Sequence, residues 1–238
     1  MIRVENLTKY YNSFEALRGI DFNIPTGQVA GLLGLNGAGK TTCLRILTGF
    51  IMPTGGDCYI DGINVFDRPR DAKARIGYLP EQPPLYQELT VQDYLQFVAR
   101  MRGGVEDFEQ EFLRVTKLTW LEPARRSLIR HLSLGYRKRV GIAQALIGSP
   151  PVLIFDEPIS GLDPIQIVEI RNLIRSLAEQ YTILISSHNL SEVSKTCDRV
   201  LIIHRGQMAG DLSGDEMHAN LEDRFLELTA APVTEVGQ

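Results

Sequence analysis

The chain is poor in cysteine, in net positive charge and in long apolar runs, and each shortage excludes a class of protein. Its three cysteines, Cys43, Cys58 and Cys197, lie far apart, with no CxxC pair and no Cys/His cluster. That argues against a disulfide scaffold or a structural zinc site, and a reducing compartment is expected. Lys and Arg number 25 against 29 Asp and Glu, a net charge of -4 over 238 residues. Such a chain lacks the electrostatic footprint of a general nucleic-acid binder, so no nucleic-acid partner is expected. No run of about 18 apolar residues occurs, which is what a membrane-spanning helix requires. The longest apolar stretch, Val140 to Phe155, is broken by Gln144, Ser149 and the Pro150-Pro151 pair. Residues 1–12 have no apolar core and do not read as a signal peptide.

What is present is an ordinary globular composition, 44% hydrophobic and 23% charged. Residues 2–7 and 17–24 roughly alternate apolar and polar, as strands do. Residues 29–33 are apolar throughout, the pattern of a strand buried on both faces. A helix is expected over 40–48, then a turn at 53–57 and a hairpin arm over 58–65 around Asp61-Gly62. From about residue 88 the character turns helical. Thr90 to Asp93 forms a capping box before a helix carrying Leu95, Val98 and Met101, which Gly103-Gly104 ends. Further helical periods cover 106–121 and 134–147. Buried strands resume at 152–155, 182–185 and 200–203, with a helix over 164–180. The expectation is one α/β domain over 1–230, its core formed by 1–84 and 151–230. A helical lobe is inserted at 85–150, and residues 231–238 form a flexible tail.

Three motifs carry chemistry. Gly34, Leu35, Asn36, Gly37, Ala38, Gly39, Lys40, Thr41 and Thr42 fit the pattern GxxxxGK followed by Ser or Thr, directly after a buried strand and opening a helix. Glycines let backbone N–H groups curl around phosphate oxygens, and the helix N-terminus adds its positive end. Lys40 is then placed for the β- and γ-phosphates of a nucleotide and Thr41 for Mg2+. The second motif is the apolar run 152–155 ending in Asp156-Glu157. Asp156 is placed for the Mg2+ shell and Glu157 to polarise an attacking water. The third is Leu132-Ser133-Leu134-Gly135-Tyr136, upstream of Asp156.

This third segment resembles the LSGGQ signature of ATP-binding-cassette (ABC) ATPases. Further resemblances follow in the family's order. Residues 160–163 resemble the D-loop, and His188 after Ser186-Ser187 resembles the switch histidine. Tyr11, ahead of Ala16-Leu17, resembles the aromatic that stacks on adenine. Together they cover roughly 2–210, and the chain is identified as resembling the nucleotide-binding subunit of an ABC transporter. The fold implied is a P-loop NTPase core with an N-terminal antiparallel β subdomain and an inserted α-helical lobe. The ligands implied are ATP and Mg2+, and the activity is ATP hydrolysis.

The family packs two such subunits head to tail, as a homodimer or with a homologous ATPase subunit. Ser133 and the Gly135 N–H then contact ATP held by the partner. Leu134 and Tyr136 depart from the usual glycine and glutamine, while Ser133 and Gly135 are kept. The Q-loop glutamine position is held by Glu81, with Gln82 next; both stay candidates to reach Mg2+ or the attacking water. The phrase Glu81-Gln82-Pro83-Pro84-Leu85-Tyr86, with Leu89-Thr90-Val91 after it, resembles the exporter branch with ABC-two-type membrane partners. The resemblance further implies a multi-span permease subunit, docked near 81–89, and a peripheral place on the cytoplasmic face of the cell membrane.

Other residues have plainer readings. His131 and His204 read as surface or packing histidines, Trp120 as a core residue of the lobe, and Cys43 as a small packed residue. Arg125-Arg126 and Arg137-Lys138-Arg139 read as solvated or intramolecular pairs. A non-transport ABC ATPase is the alternative function. The absence of a second cassette, a coiled-coil or zinc insertion and a basic arm speaks against it. An unrelated P-loop kinase does not account for the signature, D-loop and switch histidine in order.

Overall fold

Two sheets and a set of helices are built around the loop that follows the third strand. The computed structural model describes residues 1–230, so the expected tail at 231–238 lies outside the described residues. Strands β1 (Ile2–Tyr11), β2 (Phe14–Ile24), β4 (Gly55–Ile60) and β5 (Ile63–Asn64) form an antiparallel sheet in the order β2-β1-β4-β5. Both β1 and β2 run further than their alternation predicts, because a tight turn at Asn12, with φ of +53°, keeps them paired to Tyr11 and Phe14. The expected hairpin at Asp61-Gly62 is present. Both residues take positive φ, +50° and +78°, as a two-residue turn between twisted strands demands.

The second sheet has the order β10-β9-β3-β8-β7-β6. Its strands are β3 (Val29–Leu33), β6 (Ile76–Leu79), β7 (Val152–Asp156), β8 (Thr182–Ser187), β9 (Arg199–His204) and β10 (Gln207–Ser213). All neighbours are parallel except β10, which pairs antiparallel with β9 at the edge. Residues along each strand alternate between two apolar clusters, which is why β3 and residues 152–155 of β7 are apolar throughout. Val29 and Leu33, Leu153 and Phe155, and Ile183 and Ile185 enter the helix-covered cluster. Ala30 and Leu32, Val152 and Ile154, and Leu184 face the antiparallel sheet and helix α1 (Lys40–Leu47).

Helix α2 (Pro69–Ala74) precedes β6, and helices α3 (Val91–Arg102), α4 (Phe108–Leu118) and α5 (Leu134–Leu146) lie between β6 and β7 in the chain. Thr90 caps α3 as the capping box predicts, accepting from the Asp93 N–H at 3.1 Å. Helix α4 is shorter than its apolar period: Asp107 caps its start, and the chain leaves the helix before Trp120, whose φ is +52°. Trp120 is not a core residue. It is 42% exposed, with the Arg139 guanidinium 5.4 Å from its ring. Helices α6 (Pro164–Leu177), α7 (Leu190–Thr196) and α8 (Asp215–Ala230) complete the described chain. No helix among the described residues is long and apolar enough to cross a membrane.

Candidate active site

The parallel sheet gathers the motifs by register. Leu33 at the end of β3 pairs with Ser187 of β8, Ser186 pairs with Asp156 of β7, and Phe155 pairs with Leu79 of β6. The residues just beyond those ends, Gly34, His188, Glu157 and Glu81, therefore emerge side by side at the carboxyl edge. That is where open α/β sheets bind their ligands.

A cavity of about 430 Å3 opens there. Leu35 through Thr42 line it, with Tyr11, Phe14 and Ala16 at one end and Glu81, Glu157, Ser160 and His188 at the other. Gly34 lies beneath it. A Cβ on Gly34 would come within 2.4 Å of the Ile203 carbonyl, so only glycine fits where the loop leaves the sheet. The buried Lys40 ammonium donates to the Gly34 carbonyl at 2.7 Å and lies 3.6 Å from Glu157 Oε1. Glu157 Oε2 is 3.0 Å from His188 Nδ1. A carboxylate only accepts, so this contact places a proton on Nδ1.

A second cavity of about 590 Å3 adjoins the first. It shares Thr41 and Glu81 and adds Asp156, Gln82, Pro80 and Tyr78. Asp156 is 1% exposed, and Ser186 Oγ donates to its Oδ1 at 2.5 Å. Burial pushes the Asp156 carboxyl above its ordinary pKa. The Ser186 hydrogen bond opposes this, the negative charges of Glu157 and Glu81 add to it, and a hydrogen bond from Thr41 again opposes it. A divalent cation would relieve that crowding, and the hydroxyl and carboxylate oxygens are hard donors suited to Mg2+. Among the described residues no three His, Cys, Asp or Glu side chains form a metal cage.

Ser133 and Gly135 line neither cavity. Ser133 caps α5, its hydroxyl accepting from the Tyr136 N–H at 3.3 Å, and is exposed. Gly135 is buried, and a Cβ there would meet Gln166 Cδ at 2.9 Å. Within one chain the structure does not bring these two to Lys40.

Sequence reasoning did not single out Phe14, Ser160 or Ser186 as site residues. Phe14 and Ser160 line the cavity; the aromatic three residues past Tyr11 is a signal that was available for Phe14. Ser186 binds Asp156 and also accepts from the Glu157 N–H at 3.0 Å. Two members of the basic triplet, Lys138 and Arg139, make intramolecular contacts, while the buried Arg137 Nε has no hydrogen-bond partner among the described residues. Buried Arg139 donates to Glu169 at 2.6 Å, and buried Lys138 donates to the Glu81 and Glu157 carbonyls.

A glycine-rich phosphate loop, an acidic strand end and a histidine on adjacent parallel strands define a P-loop nucleotide hydrolase. Residues 17–160 match the family model described as ABC transporter. The chain is 39% identical over 226 residues to the lantibiotic transport ATP-binding protein SrtF of Streptococcus pyogenes, covering 94% of this chain and 96% of that one. It is 40% identical over 219 residues to the bacitracin transport ATP-binding protein BcrA of Bacillus licheniformis, covering 91% and 71%. A solved ATP-binding subunit of an ABC transporter superposes with a TM-score of 0.85 at 30% identity, covering 96% of this chain and 99% of that one. A dimeric ATP-binding cassette in a post-hydrolysis state, bound to ADP and Pi, superposes at 0.79 with 26% identity, covering 90% and 98%. The chain belongs to the ABC transporter family and is an ATP-binding, ATP-hydrolysing subunit of it.

Proposed function

We propose that this chain energises export through a multi-span membrane permease subunit, holding two ATP molecules between head-to-tail ATPase subunits. The second subunit is another copy or a homologue. The observation that carries this reading is the convergence of Lys40, Thr41, Glu81, Glu157 and His188 on one cavity at the sheet's carboxyl edge. Lys40 neutralises the β- and γ-phosphates, the loop N–H groups of 34–42 hold their oxygens, and Tyr11 stacks on the base. Thr41 and Asp156, with Glu81 beside them, would hold Mg2+, which would supply charge neutralisation at the transferring phosphate. Glu157 takes the proton of the attacking water, and His188 holds the carboxylate in line from Nδ1. His188 also hydrogen-bonds the γ-phosphate. Ser133 and Gly135, away from the chain's own cavity, complete the site of the partner.

The domain reading is one ATPase domain over 1–230 with its lobe at 85–150. The permease docks on the groove beside the lobe, a cavity of about 420 Å3 lined by Phe50, Tyr78, Pro80, Pro84, Val98 and Met101. Phe50 and Met101 are 70% and 73% exposed, apolar surface that a short partner helix would cover. This contact holds the chain on the cytoplasmic face of the cell membrane. The roles of the relatives in bacitracin and lantibiotic transport support the reading, as does the resemblance of 81–91 to the exporter branch.

Two measurements test it. Lys40→Ala should weaken ATP binding and abolish turnover; near-normal hydrolysis would reject the phosphate-loop assignment. The parent chain should co-purify from detergent extracts with a multi-span membrane protein. Its recovery with ribosomes or DNA instead would favour a non-transport ATPase.

A further inference from the structure

The backbone of Glu157 is left-handed although the residue is not glycine. Its φ is +48°, a region that a residue with a Cβ occupies only where its surroundings hold it. Two side chains from different elements grip it. Ser186 Oγ on β8 accepts from the Glu157 N–H at 3.0 Å. Lys138 Nζ on α5 donates to the Glu157 carbonyl at 3.2 Å, and to the Glu81 carbonyl at 2.7 Å. One ammonium thus ties together the main chains that leave β6 and β7, and anchors both to the helix that Ser133 caps.

Lys138 is 3% exposed. Burying an ammonium is costly, and an apolar side chain of the same length would fill the space without that cost. Burial lowers its pKa, while the negative charges of Glu81, Asp156 and Glu157 oppose the shift. Its hydrogen bonds go to carbonyl oxygens of two loops that line the active cavity, so what it fixes is backbone geometry. Were Glu157 to relax out of the left-handed region, its carboxylate would swing away from His188 and Lys40.

We propose that Lys138 is a positioning residue for ATP hydrolysis, clamping the strained Glu157 backbone and the Glu81 loop to helix α5 so that the Glu157 carboxylate stays in line. The inference rests on the reading of Glu157 as the base. It also gives α5 a mechanical role: a displacement of this helix reaches both carboxylate loops through one side chain.

The test is a double-mutant cycle read by ATPase kinetics and ATP binding. Lys138→Met keeps the volume and loses the donors. It should lower kcat by about ten- to a hundredfold, the scale of a misplaced reacting group, with KM and ATP affinity nearly unchanged. In a Glu157→Gln background the same change should slow the residual rate by less than about twofold, because the carboxylate it positions is already gone. If Lys138→Met does not fold, Lys138→Gln, which keeps a polar end in the pocket, is carried through the same cycle with the same criteria. Parent-rate turnover by the Lys138 variant beside a slow Glu157→Gln overturns the clamp alone, as does an equal slowing in both backgrounds. Parent-rate turnover by Glu157→Gln overturns the reading of the base and the clamp with it.

Discussion

The two oxygens of the Glu157 carboxylate are divided between two partners: Oε2 lies 3.0 Å from His188 Nδ1 and Oε1 lies 3.6 Å from Lys40 Nζ. These partners come from the residue just beyond β8 and from the phosphate loop, so the carboxylate is held by elements far apart in sequence. Buried to 7% exposure, Glu157 has little freedom to choose another direction.

Glu157→Gln keeps shape and hydrogen bonding but loses the base. Hydrolysis should fall at least about a hundredfold, while ATP binding survives and an ATP-bound dimer accumulates. ATPase rate beside gel-filtration mass in Mg-ATP reads both. Normal turnover would move the base elsewhere, with Glu81, in the same cavity, the first candidate. His188→Ala should likewise stop turnover without stopping binding.

Ser133 sits exposed at the N-terminus of α5 and outside its own chain's cavity. Ser133→Arg should therefore cripple hydrolysis and leave ATP binding by a single subunit nearly intact. Mixing it with Lys40→Ala should restore one composite site at best. Hydrolysis at the parent rate by Ser133→Arg alone would show that the sandwiched arrangement does not apply.

Glu111 on α4 accepts from Arg114 and, at 2.6 Å, from the Gly148 N–H beyond α5. Burial pushes its carboxyl up, but the hydrogen bonds from Arg114 and Gly148 and the charges of Arg114 and Arg102 outweigh it, leaving the pKa below 4.5. A depressed carboxylate stabilises the fold above its unfolded pKa, and that contribution is lost as pH falls through the native value. Glu111→Gln should cost about 1.5–3 kcal/mol at pH 7, the range for hydrogen bonds to a charged group. The difference from the parent should close as pH falls below 4.5 toward the native pKa. Urea unfolding at both ends of this window measures it; a pH-independent difference would assign the loss to packing.

Gly77 on β6 meets α5 backbone to backbone: a Cβ there would lie 2.1 Å from the Ala145 carbonyl oxygen. No flexible side chain is available to yield. Gly77→Ala should destabilise by about 1–3 kcal/mol, as overpacking does, with Tm falling about 2–4 °C for each kcal/mol in a domain of this size. An unchanged Tm would show that α5 can lift from the sheet at no cost.

The local chemistry was legible in the chain itself. The phosphate loop, the Asp156-Glu157 strand end, the cap at Thr90 and the turn at Asp61-Gly62 depend on short-range sterics and hydrogen bonding, which a few consecutive residues dictate. The all-apolar runs at β3 and β7 likewise announced strands covered on both faces. Strand β6, with four residues and a glycine, carries too little periodicity to be seen, and β10, α7 and α8 were not foreseen either. Trp120 was misplaced because an apolar period does not reveal where a helix stops and the chain turns outward.

Only the tertiary structure decided how the motifs meet. The pairing of Leu33 with Ser187, Ser186 with Asp156 and Phe155 with Leu79 is a matter of sheet order and register, which long-range packing selects and no local pattern encodes. That register sets His188 against Glu157. The seating of α5 over β6, possible because Gly77 has no side chain, accompanies the burial of a lysine from a basic triplet against two carbonyls of the active loops. The residues of that triplet are alike in sequence; their burial, and hence their roles, were assigned by packing.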